Sequence, residues 1–101
     1  MLERDVQREI VDNLRHLGAR VYVTSMHRAI SSGAAGIPDV LAIFPDRVLL
    51  FVECKRERGQ VSPEQVDFLE AVRGLPGVRG VVARSWEEVE QVLVESKVIR
   101  R

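Results

Sequence analysis

Two apolar runs in the middle of the chain constrain the fold more strongly than any other feature. They cover residues 39–44 and 47–55, and the dipeptide Pro45-Asp46 between them is typical of a tight turn. The runs therefore predict a β-hairpin. Because apolar residues occupy both alternating faces of the strands, we expect the hairpin near the centre of a sheet, with helices covering both sides.

The segments around the hairpin carry signals for further helices and strands. Apolar residues recur at helical spacing up to Gly18, a natural helix stop. Ser62 and Ser85 are each followed three positions later by Gln or Glu, the capping-box signature of a helix start. The predicted order is helix 3–17, strand 19–25, hairpin, helix 62–73, strand 78–84 and helix 85–95. This order predicts an α/β fold.

The composition is that of a folded domain. Of 101 residues, 46% are hydrophobic and 30% are charged, which predicts one domain over residues 1–101. No apolar stretch approaches the roughly 18 residues that span a bilayer, so no membrane partner is expected. The charged N-terminus has no apolar segment behind it, so it is not expected to be a secretory signal. A single cysteine excludes an intramolecular disulfide and fits a cytoplasmic location.

The formal net charge of zero counts mildly against a nucleic-acid partner, because such proteins usually carry a basic excess. The charges are unevenly distributed, however, and glutamates are concentrated near the C-terminus. Basic residues expected around the candidate site are Arg20, Arg28, Lys55, Arg56 and Arg58. A neutral chain of this kind is therefore still expected to present one basic face.

Two carboxylates and a lysine stand out on the hairpin. Asp39 and Glu53 are equally far in sequence from Asp46, so a hairpin folded there makes them cross-strand neighbours, with Cβ atoms about 5 Å apart. Lys55 lies two residues past Glu53 and is expected on the same face. Carboxylates this close repel unless a cation or proton lies between them, and oxygen ligands suit Mg²⁺ or Mn²⁺. The alternative is a salt-bridge cluster at the end of a sheet.

These residues resemble a known nuclease superfamily. Pro38-Asp39 followed by Glu53-Cys54-Lys55 is similar to the PD-(D/E)XK motif, and the predicted αβββαβ order resembles the restriction endonuclease-like core, a mixed sheet flanked by helices. Further blocks resemble its VRR-NUC (virus-type replication-repair nuclease) branch. These blocks are residues 3–10, residues 36–39, and residues 62–65 with Phe68-Leu69.

The resemblance implies a metal-dependent DNA endonuclease. It implies that Asp39, Glu53 and a glutamate of the first helix bind Mg²⁺, for which Mn²⁺ can substitute, and that Lys55 is catalytic. The backbone carbonyl of Cys54 is expected to complete the metal ligands. Stand-alone bacterial and phage members resemble Holliday-junction resolvases and act as homodimers, whereas members fused to larger repair nucleases cut flaps.

Two glutamates compete for the role in the first helix. At 100° per residue, Glu3 falls within the arc of the helix's apolar residues, while Glu9 lies about 90° away. We therefore expect Glu3 to face the sheet and to be the metal ligand, and Glu9 to be solvated. The alternative for Glu3 is a favourable interaction with the helix dipole.

For Gln65 and for three arginines, a purely structural role is the alternative to a role in the active site. Gln65 completes the predicted capping box with Ser62, and it also lies on the inward face of its helix, where its amide could contact the active site. Arg28, Arg56 and Arg58 are candidates to bind DNA phosphates, with solvated surface arginines as the alternative.

The function expected from all of this is a homodimeric Holliday-junction resolvase that acts on branched DNA. A flap or other branched-DNA nuclease, a restriction-type enzyme and a catalytically silent DNA-binding module remain as alternatives. The short chain leaves little surface for reading base edges, which disfavours the restriction type. Candidate dimer contacts are Leu2, Val98, Ile99 and the edge of Trp86.

Overall fold

The helices and strands follow the predicted order, with most ends within about two residues of the expected ones. The computed structural model describes residues 2–24 and 36–100. Its elements are α1 (Glu3–His16), β1 (Arg20–Val23), β2 (Val40–Ile43), β3 (Leu49–Cys54), α2 (Pro63–Val72), β4 (Val78–Ala83) and α3 (Trp86–Glu95). Within these ranges, every helix is too short or too polar to cross a membrane.

The hairpin has the register that its symmetry about Asp46 predicts. β2 and β3 are antiparallel, with Val40 opposite Val52. One step further along the same register, Asp39 lies opposite Glu53. Phe44 and Val48 close the turn, since the Phe44 N–H donates to the Val48 carbonyl at 2.9 Å.

The sheet is mixed, in the order β1-β2-β3-β4. β1 pairs antiparallel with β2, whereas β3 and β4 are parallel. The parallel pair follows from the connection, because α2 crosses over the sheet between β3 and β4. Consequently the C-terminal ends of β3 and β4 lie side by side, next to the N-terminal end of β2.

One face of the sheet carries the core, covered by α1 and α3. The side chains of Val40, Leu50 and Val52 on this face are fully buried. Burial of an aliphatic side chain of this size stabilises a fold by about 1.5–3 kcal/mol. The helices contribute further buried residues to the same cluster, namely Val6, Ile10, Val11, Leu14, Val89 and Leu93.

The C-terminal apolar residues pack against this core. Trp86, Val98 and Ile99 are partly buried hydrophobic residues of the same cluster, which explains why these three are apolar. Because these three side chains are only partly buried, the prediction that they contribute to a dimer interface is not tested by their packing. Leu2, the fourth candidate, is 51% exposed.

The opposite face of the sheet is covered less evenly than expected. Over β3, the ring of Phe51 meets that of Phe68 from α2 edge-on, with centroids 4.9 Å apart. Over β1 and β2, in contrast, Tyr22 is 50% exposed and Ile43 is 40% exposed. Full coverage of both faces was therefore wrong for the β1–β2 half, because the short α2 lies over the β3–β4 half.

The two predicted capping boxes have different outcomes. At the start of α2, the Gln65 N–H donates to the Ser62 hydroxyl at 3.2 Å, and the Ser62 N–H donates to Gln65 Oε1 at 2.8 Å. At the start of α3, in this described part of the chain, the Ser85 side chain makes no capping bond. The Glu88 carboxylate instead accepts from the Arg84 N–H at 2.8 Å. The prediction of a second capping box was therefore wrong.

Candidate active site

Asp39 is held in place by the strands on both sides of it. Its side chain is 4% exposed, and Oδ2 accepts a hydrogen bond of 3.0 Å from the Cys54 N–H of β3. From β1, the Thr24 N–H donates to the Asp39 carbonyl at 2.8 Å, and the Thr24 hydroxyl donates to the carbonyl of Pro38. The orientation of the Asp39 carboxylate is therefore determined by its place in the sheet.

Glu53 is a buried carboxylate with cationic and amide donors nearby. It is 1% exposed, and its Oε2 accepts a hydrogen bond of 2.8 Å from Nε2 of Gln65. Lys55 Nζ lies 3.5 Å from the same oxygen, and the Lys55 side chain is 13% exposed. A buried charge is tolerated when it is paired and hydrogen-bonded, and Glu53 meets both conditions.

Gln65 combines the two roles that were weighed for it. Its backbone N–H and Oε1 form the capping box with Ser62, while its Nε2 reaches Glu53. The amide oxygen and nitrogen point to different partners, so one side chain links the start of α2 to the carboxylate. Its catalytic role remains a prediction.

Gly36 controls how closely the segment before Asp39 approaches α2. Its φ of 91° lies in the left-handed region, and a Cβ atom there would come within 2.3 Å of the Glu64 carbonyl oxygen. Only glycine satisfies both conditions without displacement. Gly36 was noted in the sequence for its resemblance to a family motif, but its contact with α2 depends on the tertiary structure.

Cys54 is the last residue of β3, and its buried side chain belongs to the hydrophobic core cluster. Burial raises the pKa of its thiol well above the ordinary range, and the negative charges of Asp39, Glu53 and Glu3 raise it further. A buried, protonated thiol is a poor nucleophile.

Glu3 and Glu9 are both exposed on α1. Glu3 is nevertheless close enough to act on the Cys54 thiol through its charge, whereas Glu9 is not among the groups that do so. The backbone carbonyl of Glu9 accepts a hydrogen bond of 2.8 Å from the Asn13 side chain. Glu3 is therefore the one of the two whose charge affects the end of β3, and its role as a metal ligand remains a prediction.

The donor set is suited to a magnesium ion that keeps much of its water. Within residues 2–24 and 36–100, no three Asp, Glu, His or Cys side chains come together closely enough to enclose a metal. Mg²⁺ is commonly held by one or two carboxylates plus waters, so full enclosure by side chains is not required. Asp39 and Glu53, opposite each other on β2 and β3, fit that pattern.

The arginines are distributed differently from expectation. Arg56 and Arg58 are exposed on the turn that follows β3, near Lys55. Arg28 lies outside the described residues. Arg20 was expected around the site, but it pairs with Ile43 at the opposite end of the sheet, so that placement was wrong. Because β1 runs antiparallel to β2, Arg20 at the start of β1 lies at the end of the sheet that is remote from Asp39.

Arg84 is a residue of the site region that the sequence did not single out. Its Nε donates to the Glu57 carbonyl at 3.2 Å and its Nη2 donates to the Gly59 carbonyl at 2.9 Å. It thereby holds the turn that carries Arg56 and Arg58. The parallel pairing of β3 and β4 places Arg84 beside the turn that follows β3. This proximity cannot be seen from the position of Arg84 in the sequence.

Comparison with known proteins gives consistent matches. The sequence profile of the VRR-NUC domain matches residues 1–87. A protein of Acyrthosiphon pisum secondary endosymbiont phage 1, named "Putative nuclease p44", is 30% identical over 64 residues, which are 63% of this chain and 63% of that protein. A solved structure of a VRR_NUC domain has a TM-score of 0.69 and 31% identity, and covers 92% of this chain and 94% of that chain.

The fold and the site together define a mixed α/β domain with a carboxylate–lysine cluster at one end of its sheet. The chain belongs to the VRR-NUC domain family, whose profile spans most of its length. The solved VRR_NUC domain has the same fold over nearly the whole chain, which confirms the predicted fold class and the family resemblance.

Proposed function

We propose that this chain is a metal-dependent nuclease that hydrolyses phosphodiester bonds in DNA. The observation that carries the proposal is the cluster at the end of β3, where Lys55 Nζ lies 3.5 Å from the buried Glu53 carboxylate, opposite Asp39. Phosphodiester hydrolysis needs a positioned water and stabilisation of charge on the phosphoryl oxygens. Family membership and the name of the phage relative support the same activity.

The metal ligands in this proposal are Asp39, Glu53 and the backbone carbonyl of Cys54. Glu3, which is exposed on α1, is proposed to bind directly or through a water. The hydrogen bond from the Cys54 N–H holds the Asp39 carboxylate toward β3. Mg²⁺ or Mn²⁺ bound there would supply Lewis-acid stabilisation of the phosphate and lower the pKa of a water.

Lys55 and Gln65 act on either side of Glu53. The ammonium group of Lys55 orients the attacking water and stabilises negative charge that develops on the phosphate. The amide of Gln65 holds Glu53 Oε2 at 2.8 Å, which keeps this carboxylate from rotating when substrate enters. Arg56 and Arg58, exposed on the next turn, contact flanking phosphates.

The proposed substrate is a four-way DNA junction, cut by a homodimer in the cytoplasm. A four-way junction offers two symmetric strands, and a two-fold dimer offers two identical sites to match them. A flap or other branched DNA is the second candidate, and a silent DNA-binding module is the third. The silent module is disfavoured because a buried carboxylate is costly to keep without a function.

Cleavage of a panel of duplex, flap and four-way junction DNA tests the proposal, with Asp39→Asn as the inactive control. We expect cleavage with Mg²⁺ or Mn²⁺, little turnover with Ca²⁺, and none with EDTA. Activity that survives exhaustive chelation would contradict the metal site. Binding of the junction without cleavage under any of these metals would favour the silent module.

A further inference from the structure

We propose that Arg84 is a positioning residue that holds the side chain of Lys55 in its place through the turn of residues 56–59. The inference rests on the proposed catalytic role of Lys55 and adds a residue on which that role depends. It is carried by a chain of contacts from the end of β4 to the methylene groups of Lys55.

The first contact joins Arg84 to the turn. Its guanidinium donates from Nε to the Glu57 carbonyl and from Nη2 to the Gly59 carbonyl, at 3.2 and 2.9 Å. Both acceptors are backbone atoms more than 20 positions away in sequence, so the bonds constrain the path of the turn. A guanidinium can hold two such acceptors at once because its donors form a rigid fork.

The second contact joins the turn to Lys55. The Gly59 N–H donates to the Arg56 carbonyl at 2.9 Å and closes the turn. A Cβ atom on Gly59 would lie 3.3 Å from Cδ of Lys55 and 3.2 Å from the Arg56 carbonyl oxygen. The backbone of Gly59 therefore lies directly beside the aliphatic part of the Lys55 side chain.

The third contact fixes the backbone of Lys55 to the strand that ends at Arg84. The Lys55 N–H donates to the Ala83 carbonyl at 3.0 Å, which continues the parallel pairing of β3 and β4. Ala83 thus holds the backbone of Lys55, and the next residue, Arg84, holds the turn beside the Lys55 side chain.

These contacts matter because a lysine side chain has four rotatable bonds. Fixing such a side chain in one conformation costs conformational entropy. A turn held beside the methylene groups restricts their conformations in the folded protein, so that part of this entropy is lost before DNA binds. Without Arg84, the turn is free to move away, and Nζ samples positions remote from Glu53.

NMR of the two lysines tests the positioning directly and without substrate. The chain contains only Lys55 and Lys97, so labelling with ¹³C-lysine gives two sets of side-chain signals. Lys97 is exposed near the C-terminus and serves as an internal control. We expect the Lys55 methylene signals of the wild type to relax as a restrained group, and those of Arg84→Ala to become similar to those of Lys97.

The matched control variant is Arg79→Ala. Arg79 lies near the N-terminal end of β4, at the opposite end of the strand from Arg84. Its Nε donates to the Ser96 hydroxyl at 3.0 Å. We expect this variant to leave the Lys55 signals unchanged. Unchanged Lys55 relaxation in folded Arg84→Ala would overturn the inference. If Arg84→Ala does not fold, Arg84→Lys decides by the same measurement, since one ammonium group cannot hold both carbonyls in the forked geometry.

Single-turnover cleavage at saturating junction DNA separates this inference from the proposed function. We expect Arg84→Ala to lower the cleavage rate by about tenfold or more while the affinity for DNA changes by less than about threefold. A loss confined to affinity would assign Arg84 to phosphate binding and overturn the inference. Full activity of Lys55→Ala would contradict the proposed function itself, whereas a dead Lys55→Ala with a fully active Arg84→Ala would contradict only the positioning role.

Discussion

The two carboxylates of the site are each oriented by a protein donor on one oxygen. Asp39 Oδ2 accepts from the Cys54 N–H, and Glu53 Oε2 accepts from Gln65. Preorganised ligands of this kind need little rearrangement when metal and substrate bind. In the proposed mechanism the individual residues therefore divide into two carboxylates that bind the metal, donors that orient them, and Lys55, which supplies the positive charge.

Replacement of Lys55 by alanine tests the assignment of the catalytic lysine. We expect Lys55→Ala to abolish cleavage and to leave junction binding within a few-fold, since one cation among several basic contacts contributes little to affinity. Gel-shift and cleavage assays on the same junction measure both. Lys97→Ala, at an exposed lysine away from the site, is the control, and near wild-type cleavage by Lys55→Ala would assign Lys55 a purely structural role.

Neutralising the two glutamates of α1 in turn tests which one reaches the metal. We expect Glu3→Gln to weaken metal-dependent cleavage by about tenfold or more, as loss of a ligand or of its water-mediated contact does. Glu9→Gln should have the wild-type rate at every metal concentration. The measurement is the cleavage rate as a function of Mg²⁺, and equal effects of the two variants would rule out a specific role for Glu3.

Among the elements, α2 has the largest influence on the site although it covers only half of one sheet face. Its first turn presents Gln65 to Glu53, and its backbone at Glu64 is in close contact with Gly36. Further along, a Cβ on Gly80 of β4 would come within 2.8 Å of Leu69 Cδ2. Glycines on two sides thus allow the close approach of α2 on which the Gln65–Glu53 bond depends.

A pair of glycine replacements separates backbone strain from this close approach. Gly36 and Gly74 both have φ in the left-handed region, 91° and 84°, but a Cβ at Gly74 meets nothing within 4 Å. Gly74→Ala should cost about 1–2 kcal/mol of unfolding free energy from strain alone. Gly36→Ala should cost about 1–3 kcal/mol more, because it also displaces α2.

Chemical denaturation of the two variants measures these costs, and cleavage measures the consequence for the site. We expect Gly36→Ala to lose activity under conditions in which it is still folded, and Gly74→Ala to keep it. Equal stability and activity of the two variants would show that the contact between Gly36 and Glu64 is not required.

For the whole molecule, the uneven cover of the sheet bears on assembly. The β1–β2 half of one face leaves Tyr22 and Ile43 half-exposed, and the hollow beside the hairpin turn is flanked by Arg20 and Arg47. Asp39 and Glu53, the proposed metal ligands, and Lys55 lie at the other end of the sheet. The molecule is therefore polarised along its strands, with the proposed chemistry at one end and other basic residues at the opposite end.

At this scale we expect a homodimer that introduces paired nicks across a four-way junction. Two identical sites related by a two-fold axis match two symmetric strands of the junction. Light scattering at micromolar concentration measures the oligomeric state, and denaturing gels of junctions labelled on each strand measure the pairing of the nicks. A monomer that prefers a single flap would contradict the resolvase and favour the flap nuclease, with the catalytic residues unchanged.

Local features of the chain were sufficient to predict the order of the elements and the central pair of the site. The pairing of Asp39 with Glu53 follows from their equal spacing about Asp46, because the position of the turn determines the register of a hairpin. The cap at Ser62 is likewise local, since its partners lie within one helical turn. These predictions needed no knowledge of how distant elements meet.

Contacts between distant elements needed the folded structure. The bond from Gln65 to Glu53, the brace from Arg84 to the turn after β3 and the remote position of Arg20 all depend on how α2 crosses the sheet and on the direction of each strand. Spacing along the chain does not encode these relations. They arise because the parallel pairing of β3 with β4 and the docking of α2 bring together residues that are far apart in sequence.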